Sequence, residues 1–126
     1  MADAQKKILV VDDEPDVRTF FTTLLVDNGY EVITANDGEE GFEKAKKEKP
    51  DLITLDISMP KESGIRMYRD LVDDAETADI PVVIVTGVTK DMKGFIYGRK
   101  KLKPPASYFE KPIEEKKFLE AIKGLL

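Results

Sequence analysis

The sequence contains no cysteine and no histidine among its 126 residues. It therefore has no disulfide framework, and it lacks the thiolate and imidazole ligands that zinc sites use. Any metal ion must be held by oxygen atoms. A long apolar run is also missing near the N-terminus, where residues 8–11 are followed at once by two aspartates, which is too short for a signal peptide or a membrane span. We expect a cytoplasmic protein that does not engage a membrane.

Size and charge narrow the class further. Hydrophobic residues make up 41% of the chain and charged residues 36%, which fits one globular domain with a core of its own. We predict a short N-terminal tail over residues 1–5 and a single domain over residues 6–126. The net charge of -5 argues against general nucleic-acid binding. No repeat or low-complexity tract is present.

Strand-like and helix-like segments alternate along the chain. We predict strands at residues 8–11, 31–35, 51–56, 81–85 and 107–110, the last being short and half polar. Pro15 suits the first turn of a helix, and Asp37 with Glu40 forms a capping-box pattern for a second helix. Further helices are predicted at about residues 65–72 and 113–125. Apolar residues at helical spacing predict the buried faces of the first and last helices: Val17, Phe20, Phe21, Leu24 and Leu25, then Phe118, Leu119, Ile122 and Leu125.

Polar residues follow these strands at the points where they end. Alternating strands and helices, with several strands apolar throughout, predict a parallel sheet covered by helices on both faces. Asp12 and Asp13 end strand 1, Asp56 ends strand 3, Thr86 ends strand 4 and Lys111 ends strand 5. Because ligands bind beyond the carboxyl ends of parallel strands, we expect these side chains to share one rim.

Three carboxylates at one rim repel each other and raise one another's pKa unless a cation is present. Magnesium fits best, because it prefers hard oxygen ligands and keeps several waters. Lys111 and the Thr86 hydroxyl would add a positive charge and a donor for phosphoryl oxygens. Asp56 is then the candidate nucleophile, since a carboxylate can attack phosphorus to give an aspartyl phosphate.

This combination of motifs resembles the receiver domain of two-component response regulators. The resemblance rests on Asp12 and Asp13 after strand 1, Asp56 with Met59, Pro60 and Gly64 beyond it, Thr86 after strand 4, and Tyr108 with Lys111 and Pro112. It covers nearly the whole chain, as one receiver domain over residues 6–126. It implies a doubly wound α/β fold of the flavodoxin type with strand order 2-1-3-4-5.

The resemblance also implies roles for the rim residues. Asp56 would take a phosphoryl group from a sensor histidine kinase, a phosphotransfer protein or a small phosphodonor. Asp13 and Asp56 would bind Mg²⁺ directly, Asp12 mostly through water, and Ser58 through its backbone carbonyl. The protein would catalyse its own phosphorylation and dephosphorylation, and it would not be a turnover enzyme on a separate substrate.

A switch is implied at the far side of the rim. Thr86 would move to bond the phosphoryl group, and Tyr108 would turn inward, which changes the face formed by helix 4, strand 5 and helix 5. The bond between Lys111 and Pro112 resembles a cis peptide of the family. Because the chain ends with the last predicted helix, we expect output through a downstream protein partner or onward phosphotransfer. A phosphorylation-dependent dimer is a further expectation.

The chain departs from the family pattern at residues 90–105. Gly94 and Gly98 would each cost a helix about 1 kcal/mol relative to alanine, and Pro104 and Pro105 favour an extended segment. We therefore predict an atypical or shortened helix 4. Residues 90–103 carry a local charge of +5. They form either a solvated face or a docking surface for an acidic partner or a kinase.

Several alternatives stand beside this reading. Asp12 and Asp13 could serve only the dipole of the following helix, and Tyr108 could be a core aromatic on an edge strand. The chain could also be a receiver-fold interaction module that works without phosphorylation. A phosphatase of the haloacid dehalogenase type would need a second aspartate where Ser58 stands. A flavodoxin-like cofactor binder would want a phosphate-binding loop in place of Asp12 and Asp13.

Overall fold

Five parallel strands form a single sheet in the order β2-β1-β3-β4-β5. The computed structural model of the protein describes residues 5–87 and 105–126. The strands are β1 (Lys7–Val11), β2 (Glu31–Ala35), β3 (Leu52–Leu55), β4 (Val82–Thr86) and β5 (Ser107–Glu110). Within the described ranges the helices are α1 (Pro15–Asp27), α2 (Gly38–Glu48), α3 (Ser63–Asp73) and a C-terminal helix (Glu115–Leu125), with a 3-10 turn at Pro60–Glu62.

Helices cover both faces of the sheet, so the central strands are buried on each side. Along β1, Leu9 and Val11 pack into the core beneath α2 and α3, whereas Ile8 and Val10 pack into the core beneath α1 and the C-terminal helix. This alternation follows from the two-residue period of a strand. It explains why the inner strands are apolar throughout, as parallel sheets require. The fold is the expected doubly wound, flavodoxin-like α/β architecture.

Local signals predicted several of the element boundaries. β2 and β5 span the predicted residues, and α1 begins at Pro15. At α2, the Asp37 side chain accepts a hydrogen bond from the Glu40 N–H at 2.8 Å. In a capping box, the Glu40 side chain would accept the N–H of the N-cap residue Asp37. Here Glu40 Oε1 instead accepts the N–H of the preceding residue, Asn36, at 2.6 Å. The helix start is therefore closed from both directions.

Several boundaries differ from the prediction by one or two residues: β1 begins at Lys7, β3 spans Leu52–Leu55, β4 begins at Val82 and α3 spans Ser63–Asp73. Thr86 belongs to β4, because it pairs with Glu110 in the ladder and its carbonyl accepts the Lys111 N–H at 2.9 Å. The prediction that strand 4 ends before Thr86 was wrong by one residue. The C-terminal helix begins at Glu115, two residues later than predicted, because Glu114 is extended and acts as its N-cap.

Two residues expected in the core lie at the surface. Phe20 is 43% exposed and Leu125 is 37% exposed. Neighbouring residues of a helix point about 100° apart, and here Phe21 faces the core while Phe20 points to the edge of the buried face. At the other end, Leu126 packs against the core that Leu125 was expected to join.

Helix 4 and the basic segment at residues 90–103 lie outside the described residues. None of the helices that are described is long and apolar enough to cross a membrane.

Candidate functional site

The carboxyl ends of the strands bring the predicted site residues to one rim of the sheet. Asp12 follows β1, Asp56 follows β3, Thr86 ends β4, and Lys111 follows β5. The loops are anchored to the sheet, because the Asp12 N–H donates to the Ala35 carbonyl and the Asp56 N–H donates to the Val11 carbonyl, at 3.2 and 3.0 Å. These bonds tie the start of each loop to the neighbouring strand.

Asp56 is a buried carboxylate with donors on both of its oxygens. Its side chain accepts the Ser58 N–H at 2.8 Å and the Ser58 hydroxyl at 2.6 Å, both on Oδ1. Lys111 Nζ donates to Oδ2 at 3.2 Å. Asp56 is only 4% exposed, so these donors take the place of water around its charge. The arrangement fixes the orientation of the carboxylate before any ligand arrives.

Lys111 joins Asp56 to Asp12. Its Nζ donates to Asp12 Oδ2 at 2.8 Å, and the Glu14 N–H donates to Asp12 Oδ1 at 3.0 Å. Burial, with the neighbouring Asp56 charge, still raises the pKa of Asp12 above its ordinary value, despite these donors. Burial alone would lower the pKa of Lys111, but its bond to Asp12 and the nearby carboxylates raise that pKa overall. The rim therefore holds more negative charge than one lysine neutralises.

Asp12, Asp13 and Asp56 form an acidic cluster. Each offers a carboxylate oxygen, and the three oxygens lie within 4.8 Å of one another. Asp12 and Asp56 are buried, whereas Asp13 is exposed. Such a group of hard oxygen atoms, open to water on one side, fits a divalent cation that keeps some of its waters. The cluster could bind a metal ion, and it brings together the three carboxylates of the predicted metal site.

The remaining predicted residues surround this cluster. Thr86 is fully buried at the end of β4, and Tyr108 is half-buried on the neighbouring strand β5, where it packs against the core beneath α2 and α3. The peptide bond between Lys111 and Pro112 is cis. The switching roles of Thr86 and Tyr108 stay predictions, as does the metal-binding role of the Ser58 carbonyl.

Gly64 lets α3 approach the acceptor strand closely, as its place after Asp56 suggested. A Cβ added at Gly64 would lie 2.3 Å from the backbone oxygen of Asp56 and 2.6 Å from Cα of Ile57. Real Cβ atoms do not approach other atoms so closely, so only glycine fits here. The start of α3 is thereby held against the Asp56 loop.

Sequence reasoning missed two contacts of the site. The direct bond from the Ser58 hydroxyl to Asp56 was not predicted, although a hydroxyl two residues after a turn aspartate is a known local pattern. Arg18 was also missed, and its Nη1 donates to the Asp12 carbonyl at 2.8 Å. The sequence gives only a weak indication of this contact, namely a basic residue near the start of the helix that follows Asp12 and Asp13.

Comparison with known proteins gives the class of this molecule. The family model of the response regulator receiver domain matches residues 8–123. The chain belongs to the response regulator receiver domain family.

Individual relatives support the same assignment over the full length of the domain. The chain is 38% identical over 121 residues to protein PilH of Pseudomonas aeruginosa, covering 95% of this chain and 97% of PilH. It is 34% identical over 123 residues to the polar-differentiation response regulator DivK of Brucella anthropi, covering 96% of both chains. Among solved structures, chemotaxis protein CheY4 of Vibrio cholerae matches with a TM-score of 0.82 at 29% identity, covering 98% of this chain and all of CheY4. Membership of the family implies a kinase or phosphotransfer partner and a downstream target.

Proposed function

We propose that this protein is a phosphoacceptor that takes a phosphoryl group on Asp56 in a Mg²⁺-dependent reaction. One observation carries the proposal: Asp56 is a buried carboxylate, fixed by Ser58 and Lys111, within 4.8 Å of two further carboxylates. A purely structural aspartate would not need two acidic neighbours, because like charges at this distance destabilise the fold. The cluster is therefore explained best by a cation and a phosphoryl group that bind there.

The chemistry is a phosphoryl transfer between carriers. An Asp56 oxygen attacks phosphorus, a new O–P bond forms, and the bond from phosphorus to the donor's histidine nitrogen breaks with the electron pair going to nitrogen. Mg²⁺ at Asp12, Asp13 and Asp56 would supply positive charge to the phosphoryl oxygens. Lys111, already 3.2 Å from Asp56, can turn its ammonium group toward the same oxygens. Water then hydrolyses the aspartyl phosphate and restores the carboxylate.

The consequence of phosphorylation is a change in binding surface. Thr86 and Tyr108 lie on adjacent strands, so a movement of Thr86 toward the phosphoryl group would leave space beside Tyr108. We propose that this changes the surface presented to a downstream protein partner, or to a second copy of the chain. The protein would catalyse only its own phosphorylation and dephosphorylation. Phosphorylation can shift this equilibrium only by as much as it favours one state over the other.

The test is incubation with Mg²⁺ and acetyl phosphate, followed by intact mass spectrometry. The expected result is one phosphoryl adduct, absent in EDTA and absent in Asp56→Asn. Asp27→Asn is the matched control, since Asp27 is an exposed residue at the end of α1 and should leave the adduct intact. An adduct that survives Asp56→Asn would refute the proposed acceptor. Failure to form an adduct with acetyl phosphate or any kinase would favour an interaction module that works without phosphorylation.

A further inference from the structure

The backbone of Asp12 is held from two sides by different elements. Its N–H donates to Ala35 at the end of β2, and its carbonyl accepts Arg18 Nη1 from α1 at 2.8 Å. The Asp12 side chain is held as well, by the Glu14 N–H and by Lys111. The peptide group that links Asp12 to Asp13 is therefore fixed through its carbonyl oxygen, and Arg18 is the residue that fixes it.

The orientation of the Asp13 carboxylate depends on that peptide group more than the orientations of the Asp12 and Asp56 carboxylates do. The Asp12 and Asp56 carboxylates are each held by hydrogen bonds, as described above, but among the described residues the exposed Asp13 side chain accepts none. A peptide group is planar, so fixing the Asp12 carbonyl also fixes the direction in which the chain enters Asp13. The backbone therefore sets the position of the Asp13 Cβ, and with it the reach of the Asp13 carboxylate toward the other two.

The place of Arg18 in its helix is otherwise unfavourable. Arg18 is the fourth residue of α1, and a positive charge near a helix N-terminus opposes the helix dipole. Long helical side chains point back toward the N-terminus, which carries the guanidinium from α1 to the Asp12 carbonyl. The contact with Asp12 gives this side chain a donor role that an apolar residue could not fill.

We infer that Arg18 is a positioning residue for the acidic cluster: it aims Asp13 at the cation by holding the Asp12 carbonyl. Arg18 does not touch the cation or the phosphoryl group. Groups that orient metal ligands typically change metal affinity by about tenfold or more when removed. This inference rests on the proposed function, because it assumes that the cluster binds Mg²⁺.

The test compares Arg18→Met, Arg18→Lys and Lys47→Met with the wild-type protein. Methionine keeps the length of the side chain but removes its donors, whereas lysine keeps one donor group and the charge. Lys47, an exposed residue in the last turn of α2, controls for the loss of one positive charge. Mg²⁺ dissociation constants are measured by titration of the metal-free proteins, followed by amide NMR shifts. Initial phosphorylation rates with acetyl phosphate are measured over a range of Mg²⁺ concentrations.

We expect Arg18→Met to raise the Mg²⁺ dissociation constant about tenfold, while the rate at saturating Mg²⁺ stays close to that of wild type. Arg18→Lys should recover most of the affinity, and Lys47→Met should match wild type. In the metal-free protein, the Asp13 amide should exchange with solvent faster in Arg18→Met. A general loss of stability would move exchange across the whole domain and would leave the affinity of the folded fraction unchanged.

Three outcomes would overturn the inference. One is an Arg18→Met affinity within about twofold of wild type, and another is a lower saturating rate with unchanged affinity. If Arg18→Met does not fold, Arg18→Ala takes its place, and a folded Arg18→Ala protein with an affinity within about twofold of wild type would overturn the inference. Wild-type protein that neither binds Mg²⁺ nor forms an adduct would refute the proposed function itself. Normal wild-type behaviour with an unaffected Arg18→Met would refute only the role of Arg18.

Discussion

Replacing Asp13 with asparagine should stabilise the metal-free protein. The Asp13 carboxylate lies within 4.8 Å of both the Asp12 and Asp56 carboxylates, and Lys111 contacts only the latter two. At that distance two like charges repel by about 0.9 kcal/mol in water and by about 3.5 kcal/mol near a protein surface of low polarity. Because Asp13 is exposed, the smaller figure applies to it. The two pairs together amount to about 1.7 kcal/mol, and the nearby positive charge of Lys111 offsets part of it, so we expect a gain of about 1 kcal/mol in the free energy of unfolding.

Magnesium should remove this advantage. At ten times the dissociation constant, a ligand that binds only the folded state stabilises it by about 1.4 kcal/mol. If Asp13→Asn weakens Mg²⁺ binding about tenfold, the variant gains only about 0.4 kcal/mol under the same conditions. The two proteins should then have nearly equal stability. The same substitution therefore stabilises the protein without metal and is close to neutral with it.

Urea denaturation followed by circular dichroism measures the free energy of unfolding of each protein, once in EDTA and once in Mg²⁺. Glu120→Gln is the control, because Glu120 is exposed on the C-terminal helix and should respond equally in both buffers. Salt at about 1 M should reduce the advantage of Asp13→Asn in EDTA, since it screens exposed charges. An Asp13→Asn protein that is less stable than wild type in EDTA would refute the reasoning. An advantage that Mg²⁺ leaves unchanged would show that the cluster does not bind the ion.

Two further predictions concern packing and pH. Gly64→Ala should cost about 1–3 kcal/mol of unfolding free energy, because its Cβ would lie 2.3 Å from the backbone oxygen of Asp56. Gly124→Ala is the control: the space around Gly124 is open, so alanine should stabilise the C-terminal helix. Equal effects of the two substitutions in thermal or urea unfolding would contradict this prediction. Burial raises the pKa of Asp12 in the folded protein, whereas hydrogen bonds from the Glu76 N–H and Lys46 lower the pKa of Asp74. The contributions of these two carboxylates to stability should therefore change with pH in opposite directions. In EDTA, wild type should lose stability relative to Asp12→Asn as pH rises above about 4. It should gain stability relative to Asp74→Asn as pH rises from about 2 to about 4. Parallel curves would contradict the assignment.

The sequence predicted the architecture because its signals are local and repeated. Pro15 and Asp37 mark helix starts, and apolar runs flanked by acids mark strands, so the element order and the rim residues could be read directly. The approach of Asp12, Asp56 and Lys111 followed from the rule that parallel strands end at one edge. The residue types at the strand ends were therefore enough to predict most of the residues of the candidate site.

The errors arise where tertiary contacts decide between local options. Phe20 and Phe21 are equally apolar, and only the packing of α1 on the sheet decides which is buried. The last residue of β4 depends on whether Thr86 finds a partner, and that partner is Lys111, which is distant in sequence. The contact between Arg18 and the Asp12 carbonyl involves a backbone atom, and backbone acceptors have no signature in a sequence.

The order of the strands also determines when, during folding, the candidate site becomes complete. Lys111 lies 99 residues after Asp12 and 55 after Asp56, and it reaches both only when β5 has docked beside β4. A chain emerging from the ribosome can pair β1, β2 and β3 first, since chains fold from the N-terminus as they are made. At that stage the acids are together without their lysine. If Asp56 accepts a phosphoryl group as proposed, that ability would be acquired last, and it would indicate that the entire sheet has assembled.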